Sequence, residues 1–249
     1  GLAVVDATDP TRPVTARTEP FDAVADIAAG TGRAFVAVAA RGVTMVSGGA
    51  QAAGERSTVL ATWSPARDVA TAGDFAYVAH DDGLAVVDLS TPGAPRTLAD
   101  LALPEGADRL AVDGDRVYVG SGADEVVVVS VADPRAPVRI GTVVTHAPPQ
   151  VTQRPAQLLA AAGRRLVVAD DQTLQLFDVA DPARPREVAS VAPAPWEPTG
   201  IAITGELAAV ADRGVGLRVF ALAEPQGLPE IGRLAFETSP WGAARGLAV

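Results

Sequence analysis

Cysteine is absent from the 249 residues, so no disulfide framework, CxxC redox centre or cysteine-ligated zinc site can form. Lysine is absent too: all 20 basic residues are arginine, set against 30 acidic ones, for a formal charge of -10. An acidic surface without a basic run argues against nucleic acid and anionic membranes, whose phosphates require clustered positive charge. Cations and basic partners stay open. Aromatics make up only 4% of the chain while 48% is apolar, chiefly Ala, Val and Leu, so any core must pack closely through small side chains. Long hydrophobic runs are missing as well. No stretch nears the ~20 consecutive apolar residues of a transmembrane helix, and Gly1-Leu2-Ala3-Val4 lacks the basic and apolar regions of a signal peptide. The expectation is a soluble segment that does not insert in a membrane; the missing initial Met reads as part of a longer chain.

What the sequence does contain is a repeat. One short segment recurs six times: Gly1-Leu-Ala-Val-Val-Asp6, Gly42-Val-Thr-Met-Val-Ser47, Gly83-Leu-Ala-Val-Val-Asp88, Glu125-Val-Val-Val-Val-Ser130, Thr173-Leu-Gln-Leu-Phe-Asp178 and Gly216-Leu-Arg-Val-Phe-Ala221. Their last residues are 41, 41, 42, 48 and 43 positions apart. A period of this size marks a repeat architecture. After most copies comes a proline-rich mark, as in Asp9-Pro10-Thr-Arg-Pro13, Thr91-Pro92-Gly-Ala-Pro95, Asp133-Pro134-Arg-Ala-Pro137 and Asp181-Pro182-Ala-Arg-Pro185. Proline fixes φ and Asp or Ser bonds the neighbouring backbone, which is turn chemistry. A short apolar run follows the turn, and two more, joined by a Gly/Asp turn, precede each copy. Val-rich runs of this length bounded by Gly, Asp and Pro read as strands. The Ala-rich stretch from Ala23 to Ala40 matches its neighbours in register and reads as β too.

The unit is therefore four antiparallel strands, a to d, with the recurring segment as strand c. Such a unit of about 42 residues describes a β-propeller blade. The expectation is an all-β, six-bladed propeller forming one domain over 1–249. Its complete blades lie near 21–62, 63–104, 105–146, 147–194 and 195–239. The sixth is split between 240–249 and 1–20 and is short by one strand b.

The Leu-Ala-Val-Val-Asp segment followed by Ser/Thr/Asp-x-Pro-x-x-Pro resembles the LVIVP repeat, a propeller-forming repeat of bacterial and archaeal proteins. The resemblance covers nearly the whole chain and is strongest at the units ending at Asp6, Asp88, Ser130 and Asp178. It implies an exported or cell-surface location and brings no catalytic residues.

In a propeller the b–c turns and d–a loops share one face, and the sites expected here lie on it. Trp63, Trp196 and Trp241 fall four or five residues before strand a, with Phe21 at the same place. These rings either plug the tops of the inner strands or line a pocket for a sugar, peptide or cation. Arg67 and Arg245, at matching offsets after Trp63 and Trp241, are candidates for carboxylate contacts. The b–c turns carry Asp81, Asp82, Asp124, Asp170, Asp171 and Asp212, which either shape hairpins or converge on calcium, which wants six to eight oxygens.

His80 and His146 alone make a poor zinc site without a third donor. No Gly-x-Ser-x-Gly elbow or phosphate-cradling loop is present, and the insertion 146–156 is either a recognition loop or a linker. The leading expectation is a non-enzymatic interaction scaffold for a protein or carbohydrate ligand, requiring no cofactor. A calcium-assisted hydrolase or lactonase and a purely structural array within a larger surface protein are the alternatives.

Overall fold

The computed structural model describes residues 2–6, 8–9, 11–21, 23–30, 33–38, 42–47, 55–60, 65–91, 94–121, 125–145, 158–222 and 227–235. They are all strand, turn or coil, and among them no helix is long and apolar enough to cross a membrane. The chain divides into two compact units, Gly1–Ala107 and Asp108–Val249.

In the first unit β1 (Leu2–Asp6) pairs with β2 (Val14–Glu19) as a two-stranded sheet. Two four-stranded antiparallel sheets follow. One joins β3 (Val24–Gly30), β4 (Arg33–Val38), β5 (Gly42–Ser47) and β6 (Glu55–Leu60); the other joins β7 (Ala66–Ala72), β8 (Phe75–His80), β9 (Gly83–Asp88) and β10 (Arg96–Ala102). Phe35, Ala37, Val43 and Met45 of the first sheet bury against Val69, Ala76, Val78, Ala85 and Val87 of the second. The alternate residues Val36, Val38 and Val46 bury with Leu2 of β1.

The second unit has three four-stranded sheets. They are β11 (Arg109–Asp113), β12 (Arg116–Gly120), β13 (Glu125–Ser130) and β14 (Val138–Val144); β15 (Leu158–Ala162), β16 (Arg165–Ala169), β17 (Leu174–Asp178) and β18 (Arg186–Val191); and β19 (Pro198–Thr204), β20 (Leu207–Asp212), β21 (Gly216–Ala221) and β22 (Glu230–Leu234). Why strand b of the middle sheet is a continuous apolar run is plain from its two faces. Leu166 and Val168 bury against the β11–β14 sheet with Tyr118, Val126 and Val128. Val167 and Ala169 bury on the other side with Val210, Phe220 and Leu222. A strand covered on both faces has no polar face to show.

The count of blades differs from the sequence expectation. Among the described residues five sheets, not six, have four strands and β1–β2 is a two-stranded sheet; the strand expected at 245–249 lies outside the described residues.

Two turns recur among the described residues. Strands a and b meet through two-residue loops opened by Gly73, Gly114, Gly163 and Gly205, with φ of 56°, 59°, 61° and 57°. Positive φ at the first loop position alone is the type II′ hairpin, whose twist matches that of its strands. Between strands c and d the signature aspartates act as turn caps. Asp6, Asp88 and Asp178 each accept the amide two residues on, from Thr8, Ser90 and Ala180, at 2.9, 2.9 and 3.0 Å. Asp9, Asp133 and Asp181 repeat the arrangement with Thr11, Arg135 and Ala183. These hydrogen bonds hold the carboxyls of Asp6 and Asp9 below the usual range, the threonine side chains contributing most. Asp88 is lowered by Ser90 and then Arg96, and Asp178 by Arg164 and then the Ala180 amide.

Neighbouring sheets within each unit are clipped by arginines that open strand b. Arg33 Nη1 donates to Leu89 O at 3.2 Å in the first unit. In the second, Arg116 Nη1 donates to Val179 O at 2.8 Å, and Arg165 Nη2 pairs with Glu206 Oε2 at 2.6 Å. Backbone also meets backbone there: a Cβ on Gly141 of β14 would stand 1.7 Å from the carbonyl oxygen of Pro182 in the next sheet's c–d turn.

Candidate functional site

A buried polar residue recurs where strand b ends: His80 and Asp212 as the last residue of the strand, Ser121 and Asp170 one residue beyond it. Three of the four fasten the b–c turn. Asp170 Oδ1 accepts the amides of Gln172 and Thr173 at 2.7 and 2.6 Å, and the Thr173 hydroxyl donates to both its oxygens. Asp212 Oδ1 accepts the amides of Gly214 and Val215 at 2.9 and 3.1 Å, while its Oδ2 accepts the Glu197 amide at 3.3 Å. His80 does the same through nitrogen, its Nδ1 accepting the Asp82 amide at 3.3 Å. That bond leaves the proton on Nε2, which faces Asp100 Oδ1 at 3.1 Å.

Trp196, in the d–a loop before β19, sits over the seam between the β15–β18 and β19–β22 sheets. Its Nε1 donates to Asp170 O at 2.8 Å, and its ring meets Phe220 edge-on with centroids 6.2 Å apart. Beneath it lies Arg218, 1% exposed, in a strand c position that is alanine or valine in the Leu-Ala-Val-Val-Asp and Glu-Val-Val-Val-Val copies. Its guanidinium carbon is 5.3 Å from the Trp196 ring centroid and 5.5 Å from that of Phe220. Its Nη1 donates to Pro195 O at 2.7 Å and approaches Asp212 Oδ2 at 3.4 Å, and its Nη2 donates to Glu230 Oε2 at 2.6 Å. Arg233 closes the network on Glu230, whose carboxyl is held below its usual range by Arg233 first and Arg218 second. A charge buried this deeply is tolerated only when paired and hydrogen-bonded, and here it is both.

Beside the indole opens a cavity of about 220 Å³ lined by Asp170, Asp171, Trp196, Glu197, Thr199 and Arg213 over a floor from Leu158 and Ala169. Three carboxylates stand there against one guanidinium. Asp170 is committed to its turn, and Glu197 lies 3.8 Å from Arg213 with both side chains more than half exposed. Among the described residues the half-buried Asp171 carboxylate has no hydrogen bond or ion pair.

Of the residues singled out in the sequence, Trp196, Asp170 and Asp171 meet at this cavity, and Asp212 joins them through Arg218. Phe21 packs on the Leu2, Val36, Val38 and Val46 cluster of the first unit. Arg67 does find a carboxylate, that of Asp81, at 2.7 Å. Asp82 contributes its amide to the His80 turn. Trp63, Trp241, Arg245, Asp124, His146 and the insertion 146–156 lie outside the described residues. Among the described residues no three His, Cys, Asp or Glu side chains stand close enough to hold a metal ion. The sequence reading missed Arg218 and the clip arginines Arg33, Arg116 and Arg165. The signal for the clips was present, since each opens strand b of its repeat.

Comparison with known proteins now bears on these turns. Residues 65–99 and 106–145 match the LVIVD repeat, whose closing aspartate is the turn cap seen at Asp88 and replaced by Ser130. Among solved structures, a protein from Lactobacillus plantarum is 14% identical with a TM-score of 0.72, over 94% of this chain and 77% of that one. The β-propeller domain of Myceliophteria thermophila Cps50 (Swd1) is 14% identical with a TM-score of 0.58, over 85% and 73%. PorZ of Porphyromonas gingivalis, an essential bacterial surface component of the type-IX secretion system, is 16% identical with a TM-score of 0.57, over 86% of this chain and 27% of PorZ. At these identities the likeness is one of fold: the chain is an all-β propeller with four-stranded blades. No curated protein matches the chain.

Proposed function

We propose that this LVIVD-repeat propeller is a non-enzymatic interaction module, exported or displayed at the cell surface, that takes a ligand in the Trp196 cavity. The observation that carries the reading is the pairing of a fixed indole with an unengaged, half-buried carboxylate, Asp171, in one cavity. A few convergent polar groups around an apolar wall are the usual make-up of a small-molecule or side-chain site. The neighbouring acids support binding over catalysis, because Asp170 and Asp212 already give their oxygens to turn amides. The same geometry gives no support to a calcium-assisted hydrolase. The surface location rests on the repeat family and on the precedent of PorZ, which shares the fold.

The six-bladed reading belongs with this proposal. Its support is the six-fold recurrence of strand c, with β1–β2 as the sixth copy's c and d strands. A blade count in an experimental structure of the whole chain decides between five and six.

The functional test is a binding screen of capped tripeptides and methyl glycosides against the wild type and the Asp171→Asn/Glu197→Gln variant. A saturable ligand lost in the variant, whose melting temperature is unchanged, supports the reading. Absence of any such ligand counts against it, as does turnover of an ester or lactone that disappears in Asp170→Ala.

A further inference from the structure

We infer that the Trp196 cavity selects a cationic head on an aliphatic stem, a guanidinium or an ammonium, as carried by an arginine or lysine side chain of a partner. The inference rests on the ligand-binding reading above and names its chemistry. Three observations converge on it. The lining holds three carboxylates and one guanidinium, so the cavity carries net negative charge. Of these groups only Asp171 has no partner among the described residues, and it is half-buried, where an opposite charge is screened less than at an open surface. The chain as a whole stands at -10, which draws basic partners toward it and disfavours acidic ones.

Shape agrees with charge. The walls from Leu158, Ala169, Pro198 and the Trp196 ring are apolar and suit the methylenes of a long basic side chain, whose stem packs while its head reaches a carboxylate. At about 220 Å³ the space is small for a drug-sized ligand, whose sites run roughly 300–1,000 Å³, and fits one side chain. Trp196 already accepts a guanidinium against its ring in the form of Arg218, so the indole environment is compatible with such a group. Arg213 sets the geometry of entry: its contact with Glu197 is long at 3.8 Å, and an incoming cation can take Glu197 from it.

The probes are the capped peptide Ac-Gly-Arg-Gly-NH2, the same peptide with citrulline in place of arginine, and n-butylguanidinium, titrated by calorimetry at low salt. Few buried heavy atoms are involved, so the arginine peptide is expected to bind with a Kd on the order of 1 mM. Citrulline keeps the shape and removes the charge, and is expected to bind at least about tenfold more weakly. Asp171→Asn, which breaks no hydrogen bond or ion pair among the described residues, is expected to cost the arginine peptide a similar factor with an unchanged melting temperature.

Raising the salt is expected to weaken binding. Equal affinity of butylguanidinium and peptide places the recognition in the cation alone, whereas a stronger peptide places part of it in a polypeptide partner. Citrulline binding as well as arginine, or Asp171→Asn binding as well as wild type, overturns the inference. If a glycoside from the screen binds and the arginine peptide does not, the cation class falls and the ligand-binding reading stands. If nothing saturates the site, both fall.

Discussion

Gly141→Ala is the sharpest perturbation that the packing of the second unit offers. Gly141 pairs with Val128 in the β13–β14 ladder, and its missing side chain is the space into which the Pro182 turn of the next sheet fits. An added Cβ would lie 1.7 Å from Pro182 O and 2.7 Å from its carbonyl carbon, both backbone atoms with no rotamer to change. Real Cβ contacts do not fall below 3.0 Å, so strand and turn must part by about 1.3 Å. That movement either opens the ladder at Val128 or breaks the turn that Arg184 N closes on Asp181 O at 3.0 Å. Overpacking costs about 1–3 kcal/mol, and a lost backbone hydrogen bond adds about 1 kcal/mol.

A destabilisation of about 3 kcal/mol corresponds, for a chain of this size, to a fall in melting temperature of roughly 6–12 °C. The control is Gly232→Ala, at the same place in β22, where the nearest atom to the new Cβ is Val219 Cβ at an ordinary 3.9 Å. There the change is expected to stay within about 0.5 kcal/mol. Thermal melts followed by circular dichroism, with urea midpoints alongside, measure both. A Gly141→Ala protein melting within about 2 °C of wild type, or a Gly232→Ala protein losing as much as Gly141→Ala, refutes the packing argument.

Three further outcomes follow from named contacts. Arg218→Met leaves Glu230 and the inner oxygen of Asp212 without their buried partner, and is expected to cost about 3–5 kcal/mol, read as a lower urea midpoint, with part recovered in Arg218→Met/Glu230→Gln. His80→Asn keeps an acceptor for the Asp82 amide and is expected to be tolerated, whereas His80→Leu loses the turn bond and about 1 kcal/mol, compared by thermal melts. Acid is expected to lower stability through the c–d turns. The carboxyls of Asp6, Asp9, Asp88 and Asp178 are depressed in the folded state, so their contribution is full above the ordinary carboxylate value of 3.8 and is lost as pH falls through the lower folded values. Melting temperatures between pH 5 and pH 2 should drop less steeply in Asp178→Asn, which keeps the turn acceptor and no longer titrates.

How far the sequence could be read depends on which signals repeat. Strand c was legible because its short apolar run is local and occurs six times, and its aspartate cap because the same turn chemistry returns at Asp6, Asp88 and Asp178. Even the Ala-rich stretch behind β3 and β4 was assigned by register against its neighbours. Arg218 was not legible. An arginine inside Leu-Arg-Val-Phe looks like an outward residue, and its burial depends on Pro195, Asp212 and Glu230, which only tertiary structure brings together. Asp170 and Asp171 are adjacent and look alike in sequence, yet one is consumed by its turn and the other is free. That difference lies in backbone direction at the end of β16, which no composition reveals. The ring of Trp196 meets Phe220 in the core and also walls the cavity, a double placement that its position in the repeat could not reveal.

The interaction-module account stands or falls at one indole. The Trp196 side chain has its Nε1 proton held on Asp170 O beside the unengaged Asp171, so its resonance in a proton–nitrogen correlation spectrum reports on the cavity directly. Assigned through Trp196→Phe, that resonance is predicted to shift saturably as Ac-Gly-Arg-Gly-NH2 is added, and to stay fixed in Asp171→Asn. An indole signal that never moves in the wild type, for that peptide or any member of the peptide and glycoside panel, would contradict the account.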